Sequence, residues 1–456
     1  MRRKNAIRLL AAGGSGLLLP RNAGAELGSS PRPWRAQGSA VTGSDAPASA
    51  DMSWWREARF GLFIHWGPVS LEGTEIGWSR GREVPVDTYD ALYRRFNPTA
   101  FDAVAWARIA REAGAGYVVL TTKHHDGFCL WDSPSTDYDI MSTPFGRDVT
   151  RELADACRAE GLVFCAYHSI CDWRHPDYPL GSPGGETPKP APRMDRYNEY
   201  LKAQVQELLE SCGPLGVLWF DGEWEEPWTE ERGLDLYRHC RRLQPTILVN
   251  NRVGTGRDGM EGTTSAGAFG GDFDTPEQEI GRYQDDRAWE SCITICEQWA
   301  WKPDDEMKTL EECVRTLASC TGGDGNLLLN VGPMPSGEIE PRQVSRLQEI
   351  GAWLRRNGDG IYGTRGGPFK PGSWGASTRR GRTVFLHVFE PEADGWLRLP
   401  PLARKVESAR VLGGPDVECR QGSDGLQVRI ASREPGSGVT VVALELDGPA
   451  ATLPAV

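Results

Sequence analysis

The sequence predicts an α/β fold: a (β/α)₈-like barrel, TIM-type and irregular, followed by a small C-terminal antiparallel β-sandwich. Three observations carry this. From residue 58 short apolar runs alternate with longer amphipathic ones over about 300 residues, the rhythm of a parallel sheet with helical crossovers. No glycine-rich GxGxxG turn follows the first run, which weighs against the alternative, a doubly wound sheet. After residue 362 the rhythm changes to short strands split by Gly, Asp and Ser turns.

The strand candidates are RFGLFIHWG (59–67), YVVLTTKHHDG (117–127), LVFCAYHS (162–169), GVLWFDGEW (216–224), TILVNNR (246–252), CITICEQW (292–299) and NLLLNVGP (326–333). They are continuous apolar runs, as expected for parallel strands covered on both faces. Only seven are visible where a full barrel needs eight. Between them, Asn97-Pro98 has the character of a helix start, with Phe101, Val104, Ala105 and Ile109 as its apolar stripe and Gly114 as its stop. The stretch 194–211 places Met194, Tyr197, Leu201, Val205 and Leu208 on one face. Segments 150–160, 229–243, 306–320 and 338–357 behave alike. In the tail, RTVFLHVFE, GWLRLP, SARVLGG, LQVRIAS and GVTVVALELDG read as strands.

These elements define a barrel over 51–361 and a sandwich over 362–450. Ahead of them, residues 1–25 combine a basic start, an apolar centre and the small-residue ending Ala23-Gly24-Ala25, the pattern of a signal peptide. Arg2-Arg3 fits the start of a twin-arginine export signal. Residues 26–50, rich in Ser, Pro, Ala and Gly, have the composition of a disordered linker. No later stretch is long and apolar enough for a membrane span. The expectation is an exported, periplasmic or secreted protein.

Composition narrows the function. Hydrophobic residues are 39% and charged residues 25%, an ordinary globular balance. A net charge of −12 argues against a nucleic-acid partner, whose phosphates require a basic surface. Seventeen tryptophans fit core filling, and equally a site for an amphipathic ligand. The eleven cysteines include no CxxC pair, so a zinc–cysteine centre is not expected and most should be small buried hydrophobes.

Barrel chemistry collects at the C-terminal strand ends. There the sequence places His65-Trp66, then His124, His125 and Asp126, then His168 with Asp172-Trp173. Trp219, Asp221 and Glu223 follow on strand four, and Asn250, Asn251 and Arg252 on strand five. Four of the seven histidines fall in this set. Asp221 sits on a rigid apolar strand beside Gly222, as a nucleophile or base would; a helix-capping aspartate has the same look. A second carboxylate must come from elsewhere. The stretch GGDFDTPEQE (270–279) has neither helical nor strand period and reads as an active-site loop offering Asp272, Asp274, Glu277 and Glu279.

The motifs WWREARFGLFIHWG, TTKHHDGFCLWDS, YHSICDW, LWFDG, NNR, DFDTPE and GNLLLNVGP, in this order, resemble the family 29 glycoside hydrolases, the retaining α-L-fucosidases. The resemblance implies Asp221 as nucleophile and Glu277 as acid/base. It implies His65, His124 and His125 as ligands of fucose hydroxyls, with Trp219 and Arg252 as further pocket residues and Trp299 beside the sugar methyl group. Glu75, Trp78 and His168 join the expected substrate-binding set with departures. Two residues separate Glu75 from Trp78 in GTEIGWS where the family has a Glu-Trp pair, and His168 stands where many members have tyrosine. YHS with TPEQ resembles the branch that prefers α-1,3- and α-1,4-linked fucose. The implied reaction is exo-hydrolysis of terminal α-L-fucose from oligosaccharides or glycoconjugates, with no metal and no cofactor. Two rivals stand beside it. A metal-dependent barrel hydrolase would use the histidines around zinc, but its usual H-x-H on strand one is missing. A non-catalytic fucose-binding protein could use the same scaffold.

Overall fold

A computed structural model describes residues 50–182, 187–430 and 436–456. The expected signal peptide and, apart from Ala50, the expected linker lie outside the described residues. No described helix is long and apolar enough to cross a membrane.

Seven parallel strands form one sheet: β1 (Phe60–Ile64), β2 (Tyr117–Lys123), β3 (Val163–Ser169), β4 (Val217–Asp221), β5 (Leu248–Val249), β8 (Glu290–Thr294) and β9 (Asn326–Val331). β6 (Arg257–Asp258) and β7 (Thr263–Thr264) pair with each other as a separate small ladder. The order β5-β4-β3-β2-β1-β9-β8 follows the chain cyclically, without the reversal that marks a doubly wound sheet.

The gap between β5 and β8 is filled by residues 272–278. The Asp272 N–H donates to the Val249 carbonyl (2.7 Å), and the Phe273 carbonyl accepts from the Asn251 N–H (2.8 Å). On the other side the Asp274 and Pro276 carbonyls accept from the Glu290 and Cys292 N–H groups (2.9 and 3.0 Å). Parallel bridges Asn250–Phe273, Asp274–Trp289 and Glu277–Cys292 record the same pairing. This segment is the eighth stave of the barrel, so the expected free loop is in fact wall. Pro276 has no N–H to donate, and the Thr275 N–H turns away to the Gly262 carbonyl, which breaks the regular ladder.

The helices are α1 (Ser53–Ala58), α2 (Val86–Tyr89), α3 (Ala103–Ala113), α4 (Val149–Ala159), α5 (Met194–Cys212), α6 (Glu230–Leu243), α7 (Leu310–Gly322) and α8 (Pro341–Asn357). The α5 stripe Tyr197, Leu201, Val205 and Leu208 is buried as expected. The helix start at Asn97-Pro98 is corrected. The N-cap is Asp102, whose carboxylate accepts from the Val104 and Ala105 N–H groups, and the buried face is Ala103, Trp106, Ala107, Ala110 and Ala113 while Val104 is exposed. A charged cap five residues further on outcompetes the Asn-Pro pair.

Two apolar layers result. Outward-facing strand residues pack with the helices. The barrel interior holds Phe63, Tyr117, Val119, Cys165, Tyr167, Val217, Trp219, Leu248, Phe273, Cys292 and Leu328, and Trp55 of α1 joins them. All eleven cysteines are free thiols and ten are buried.

The C-terminal region pairs a five-stranded antiparallel sheet, β10 (Arg365–Gly366), β11 (Gly375–Arg380), β12 (Thr383–Val388), β17 (Thr440–Leu446) and β14 (Val406–Val411), with a three-stranded one, β13 (Trp396–Leu399), β16 (Gly425–Arg429) and β15 (Cys419–Gly422). Leu386, Leu397, Leu426, Val428, Val442 and Leu444 share the core between them. The sandwich packs on α7 at close range: a side chain on Gly322 would bring its Cβ within 2.6 Å of the Ala376 Cβ.

Candidate active site

A small cavity, open on one side, lies at the C-terminal strand ends. Its lining includes Phe63 and His65 from β1, His124 and His125 after β2, Tyr167 from β3, Trp219 and Asp221 from β4, and Arg252 after β5. Glu277 comes from the irregular stave, Cys292 from β8 and Trp299 from beyond it; Trp78 and Trp224 complete the mouth.

The two adjacent histidines both reach the cavity because β2 ends at Lys123 and its register against β3 shifts between Thr121 and Lys123. On a continuing strand they would point to opposite sides. Their rings lie 4.1 Å apart. Gly77 (φ 67°) lets the loop before α2 press on His124, since a Cβ there would stand 2.8 Å from Nδ1.

Arg252 organises the floor. Its Nη1 donates to Asp221 Oδ1 (2.6 Å) and its Nη2 to Glu277 Oε2 (2.7 Å), while its guanidinium carbon sits 4.5 Å over the Trp219 ring. The Tyr167 hydroxyl donates to Asp221 Oδ2 (2.9 Å), and His125 Nε2 is 3.6 Å from the same oxygen. Burial works to raise the Asp221 carboxyl, but Arg252, His125 and Arg257 outweigh it and hold it below the usual aspartate range. Glu223, also buried, is pushed up to about 7 by burial, against the pull of Arg252 and Arg257. Arg257 stands 3.6 Å from both Glu223 and Glu277.

Burial keeps the histidines neutral, His65 down to about 3, His125 to about 4 and His124 well below the ordinary value. The His65 tautomer follows from its neighbours. Asn330 gives its amide N–H to the Trp299 carbonyl (2.8 Å), so its Oδ1 accepts from His65 Nδ1 (2.6 Å) and Nε2 keeps a lone pair. Such an atom can accept a hydrogen bond from a hydroxyl group in the cavity.

Of the expected set, Asp221, Glu277, His65, Trp78, His124, His125, Trp219, Arg252 and Trp299 converge here. Two do not. Glu75 lies behind the wall, its carboxylate accepting from the Trp299 and Ala300 N–H groups (2.9 and 3.0 Å), so it holds the loop rather than facing the cavity. His168 lies on the helix side of β3, 5.8 Å from Trp131, because Tyr167 takes the inward position of that alternating pair. The other loop acids are excluded by their partners: Asp272 pairs with Arg241 and Asp274 with Arg287, while Glu279 is exposed. Sequence reasoning missed Phe63, Tyr167, Trp224, Cys292 and Arg257. Strand alternation could have offered Tyr167; Arg257 sits on a two-residue strand with no pattern. Among the described residues no three His, Cys, Asp or Glu side chains are grouped as a metal-binding set.

The family profile described as Alpha-L-fucosidase matches residues 35–359. The chain belongs to the α-L-fucosidase family, family 29 of the glycoside hydrolases. It is 31% identical over 339 residues to the tissue α-L-fucosidase of Macaca fascicularis, covering 69% of each chain. It is similar in structure to α-L-fucosidase isoenzyme 1 from Paenibacillus thiaminolyticus, with a TM-score of 0.78 and 37% identity over 87% of this chain and 98% of that one. It also resembles a family 29 α-L-fucosidase from Bacteroides thetaiotaomicron trapped as a covalent intermediate with 2-fluoro-fucosyl fluoride, with a TM-score of 0.78 and 29% identity over 87% of this chain and 96% of that one. The family's members are glycoside hydrolases, and this chain is one of them.

Proposed function

We infer that the chain is an exo-acting α-L-fucosidase that releases terminal α-L-fucose with retention of anomeric configuration, and that Asp221 and Glu277 carry the chemistry. The observation behind the residue roles is one guanidinium shared by two carboxylates at the floor of a small, one-sided cavity. Carboxylates on the two ends of one guanidinium suit the short separation, about 5–5.5 Å, of a retaining pair.

Asp221, kept ionised by Arg252, attacks the anomeric carbon and displaces the leaving oxygen, which takes a proton from Glu277. Glu277 suits the second role because its side chain is 21% exposed against 11% for Asp221, the more open of the two to a leaving group and then to water. Once the glycosyl ester forms, Asp221 has lost its charge and Glu277 is left as the anionic partner of Arg252. It then takes a proton from water, which attacks the ester and frees fucose. His65, His124 and His125 hold the hydroxyls, while Trp219, Phe63 and Trp299 bury the apolar face and exclude water.

Substrates are fucosylated oligosaccharides or glycoconjugates, and α-1,3 and α-1,4 linkages are the preferred class on the strength of the YHS and TPEQ sequences. The first 25 residues support export, through a signal of twin-arginine type. Hydrolysis of an aryl α-L-fucoside by wild type and its loss in Asp221→Ala test the reading. Binding of fucose without hydrolysis by either would favour the sugar-binding protein. Loss of activity on exhaustive chelation would favour the metal-dependent hydrolase. A panel of α-1,2, α-1,3, α-1,4 and α-1,6 fucosylated oligosaccharides tests the linkage.

A further inference from the structure

A second cavity, larger than the first, lies at the opposite end of the barrel, where the N-terminal strand ends meet the sandwich. Asp324, ahead of β9, and Asp285, ahead of β8, line it from the barrel. Arg365 of β10 and Arg379 and Arg380 of β11 line it from the sandwich. Arg365 and Arg379 are direct cross-strand partners, so two like charges stand side by side, an arrangement that costs stability unless an anion answers it. Asp324 does not answer both. Its carboxylate already takes Arg59 Nη2 (2.6 Å), Arg365 Nε (2.9 Å) and the Gly366 N–H (2.9 Å). Arg56 Nη1 stands 3.6 Å from the same carboxylate, buried and without a hydrogen-bond acceptor among the described residues. Burial, and then the repulsion of Arg365, hold Arg56 below the ordinary arginine range. Arg380 is paired with Asp359 (3.0 Å). Arg379 has no carboxylate within ion-pair distance among the described residues, and its Nη1 donates to the Ala450 and Leu453 carbonyls (3.3 and 2.5 Å). Five guanidiniums thus stand with three carboxylates, Asp285, Asp324 and Asp359, an excess of two positive charges in a chain whose net charge is −12.

We propose that this cavity is an oxyanion site, holding one phosphate or sulfate group between Arg365 and Arg379 at the junction of barrel and sandwich. A tetrahedral dianion answers the excess in charge and in shape. It balances two positive charges, and the edge of a guanidinium donates to two of its oxygens at once. Nε and Nη2 of Arg379 form such an edge, and Nη1 of Arg365 lies on the paired strand; none of the three has a protein acceptor among the described residues. Asp285 opposes an anion from the rim, but it is exposed, where solvent and salt screen its charge. A bound group ties β10 and β11 to the turn that carries Asp324. It therefore stabilises the folded chain and takes no part in the chemistry at the far end. The site is independent of Asp221 and Glu277.

The test is calorimetric titration of the chain with inorganic phosphate, at an ionic strength held constant with sodium chloride. Wild type should take up one phosphate per chain, and phosphate at about ten times its Kd should raise the thermal midpoint by about 2 °C over chloride alone. Arg379→Gln, which keeps donors but carries no charge, should weaken phosphate about tenfold or more. Arg380→Gln, at an exposed position, is the second variant and should weaken it by a smaller factor. Cooperative unfolding and unchanged hydrolysis of an aryl α-L-fucoside show that both variants are folded. Phenyl phosphate separates the two sources of the group. Binding as tight as that of inorganic phosphate assigns the cavity to an ester on a larger molecule, and binding about tenfold weaker assigns it to the free anion. No uptake of phosphate by wild type, or equal uptake by wild type and Arg379→Gln, would overturn the site. Phosphate that competes with fucose would overturn it too, because that places the anion beside Arg252.

Discussion

Nη1 of Arg252 lies 2.6 Å from Oδ1 of Asp221, with both side chains withdrawn from solvent. A carboxylate taken out of water favours its neutral form, and a neutral aspartate is no nucleophile. Arg252 reverses that preference. Removing it leaves the burial without its strongest counterweight, so the Asp221 carboxyl should rise. Arg252→Ala should therefore lower kcat/KM by more than about a hundredfold, the scale for a charge partner in a reacting site. It should also move the acid limb of the kcat/KM–pH profile to higher pH. An unmoved acid limb would mean that Arg252 does not set the Asp221 ionisation.

Tyr167 and His168 provide a contrast between neighbours. The Tyr167 hydroxyl donates to Asp221, whereas His168 faces the helix layer beside Trp131. Tyr167→Phe should cost about tenfold in kcat/KM through the lost charge-assisted hydrogen bond. His168→Leu should stay within about threefold, its effect confined to the thermal midpoint. Kinetics on one aryl fucoside with both variants checks this, and the opposite ranking would restore His168 to the site.

Glu75 acts through Trp299. With its carboxylate gone, the Trp299 and Ala300 N–H groups lose their acceptor and the indole against His65 loosens. Glu75→Ala should raise KM about tenfold with a smaller change in kcat, and Glu75→Gln, which retains one acceptor oxygen, should fall between. Measured kcat and KM for the three forms decide it.

Glu290 is buried in the barrel beneath Trp219, accepting from Trp219 Nε1 (3.2 Å), with the Tyr117 hydroxyl also bonded to it. Burial pushes its carboxyl up to about 7. A folded value above the unfolded one means that the folded state holds the extra proton. The stability this gives is fully present below the unfolded value and is lost as pH rises through about 7. Glu290→Gln cannot ionise, so its thermal midpoint relative to wild type should climb between pH 5 and pH 8.5. A pH-independent difference would show that Glu290 does not titrate in this way.

Much of this was legible in the chain. Apolar runs flanked by helical stripes are a direct record of parallel strands with two covered faces, and the polar residues at their ends mark the rim where such barrels place their sites. Histidines 124 and 125 could be placed together, but only the end of β2 at Lys123 lets both face one cavity. The eighth stave was hidden because Asp272 and Asp274 look like loop acids until Arg241 and Arg287 are seen to neutralise them. The sequence reading puts His168 of β3 in the site, but alternation gives the inward position to only one of the adjacent pair, and tertiary packing gives it to Tyr167. Glu75 had the right neighbourhood and the wrong side of the wall.

The most direct test is covalent. Incubation with 2-deoxy-2-fluoro-α-L-fucosyl fluoride, followed by intact mass and peptide mapping, should show one 2-fluorofucosyl group per chain, esterified to Asp221 in the peptide containing LWFDGEW. Label on Glu223 or Glu277, or no adduct from an enzyme that turns over fucosides, would contradict the assignment of Asp221 as nucleophile.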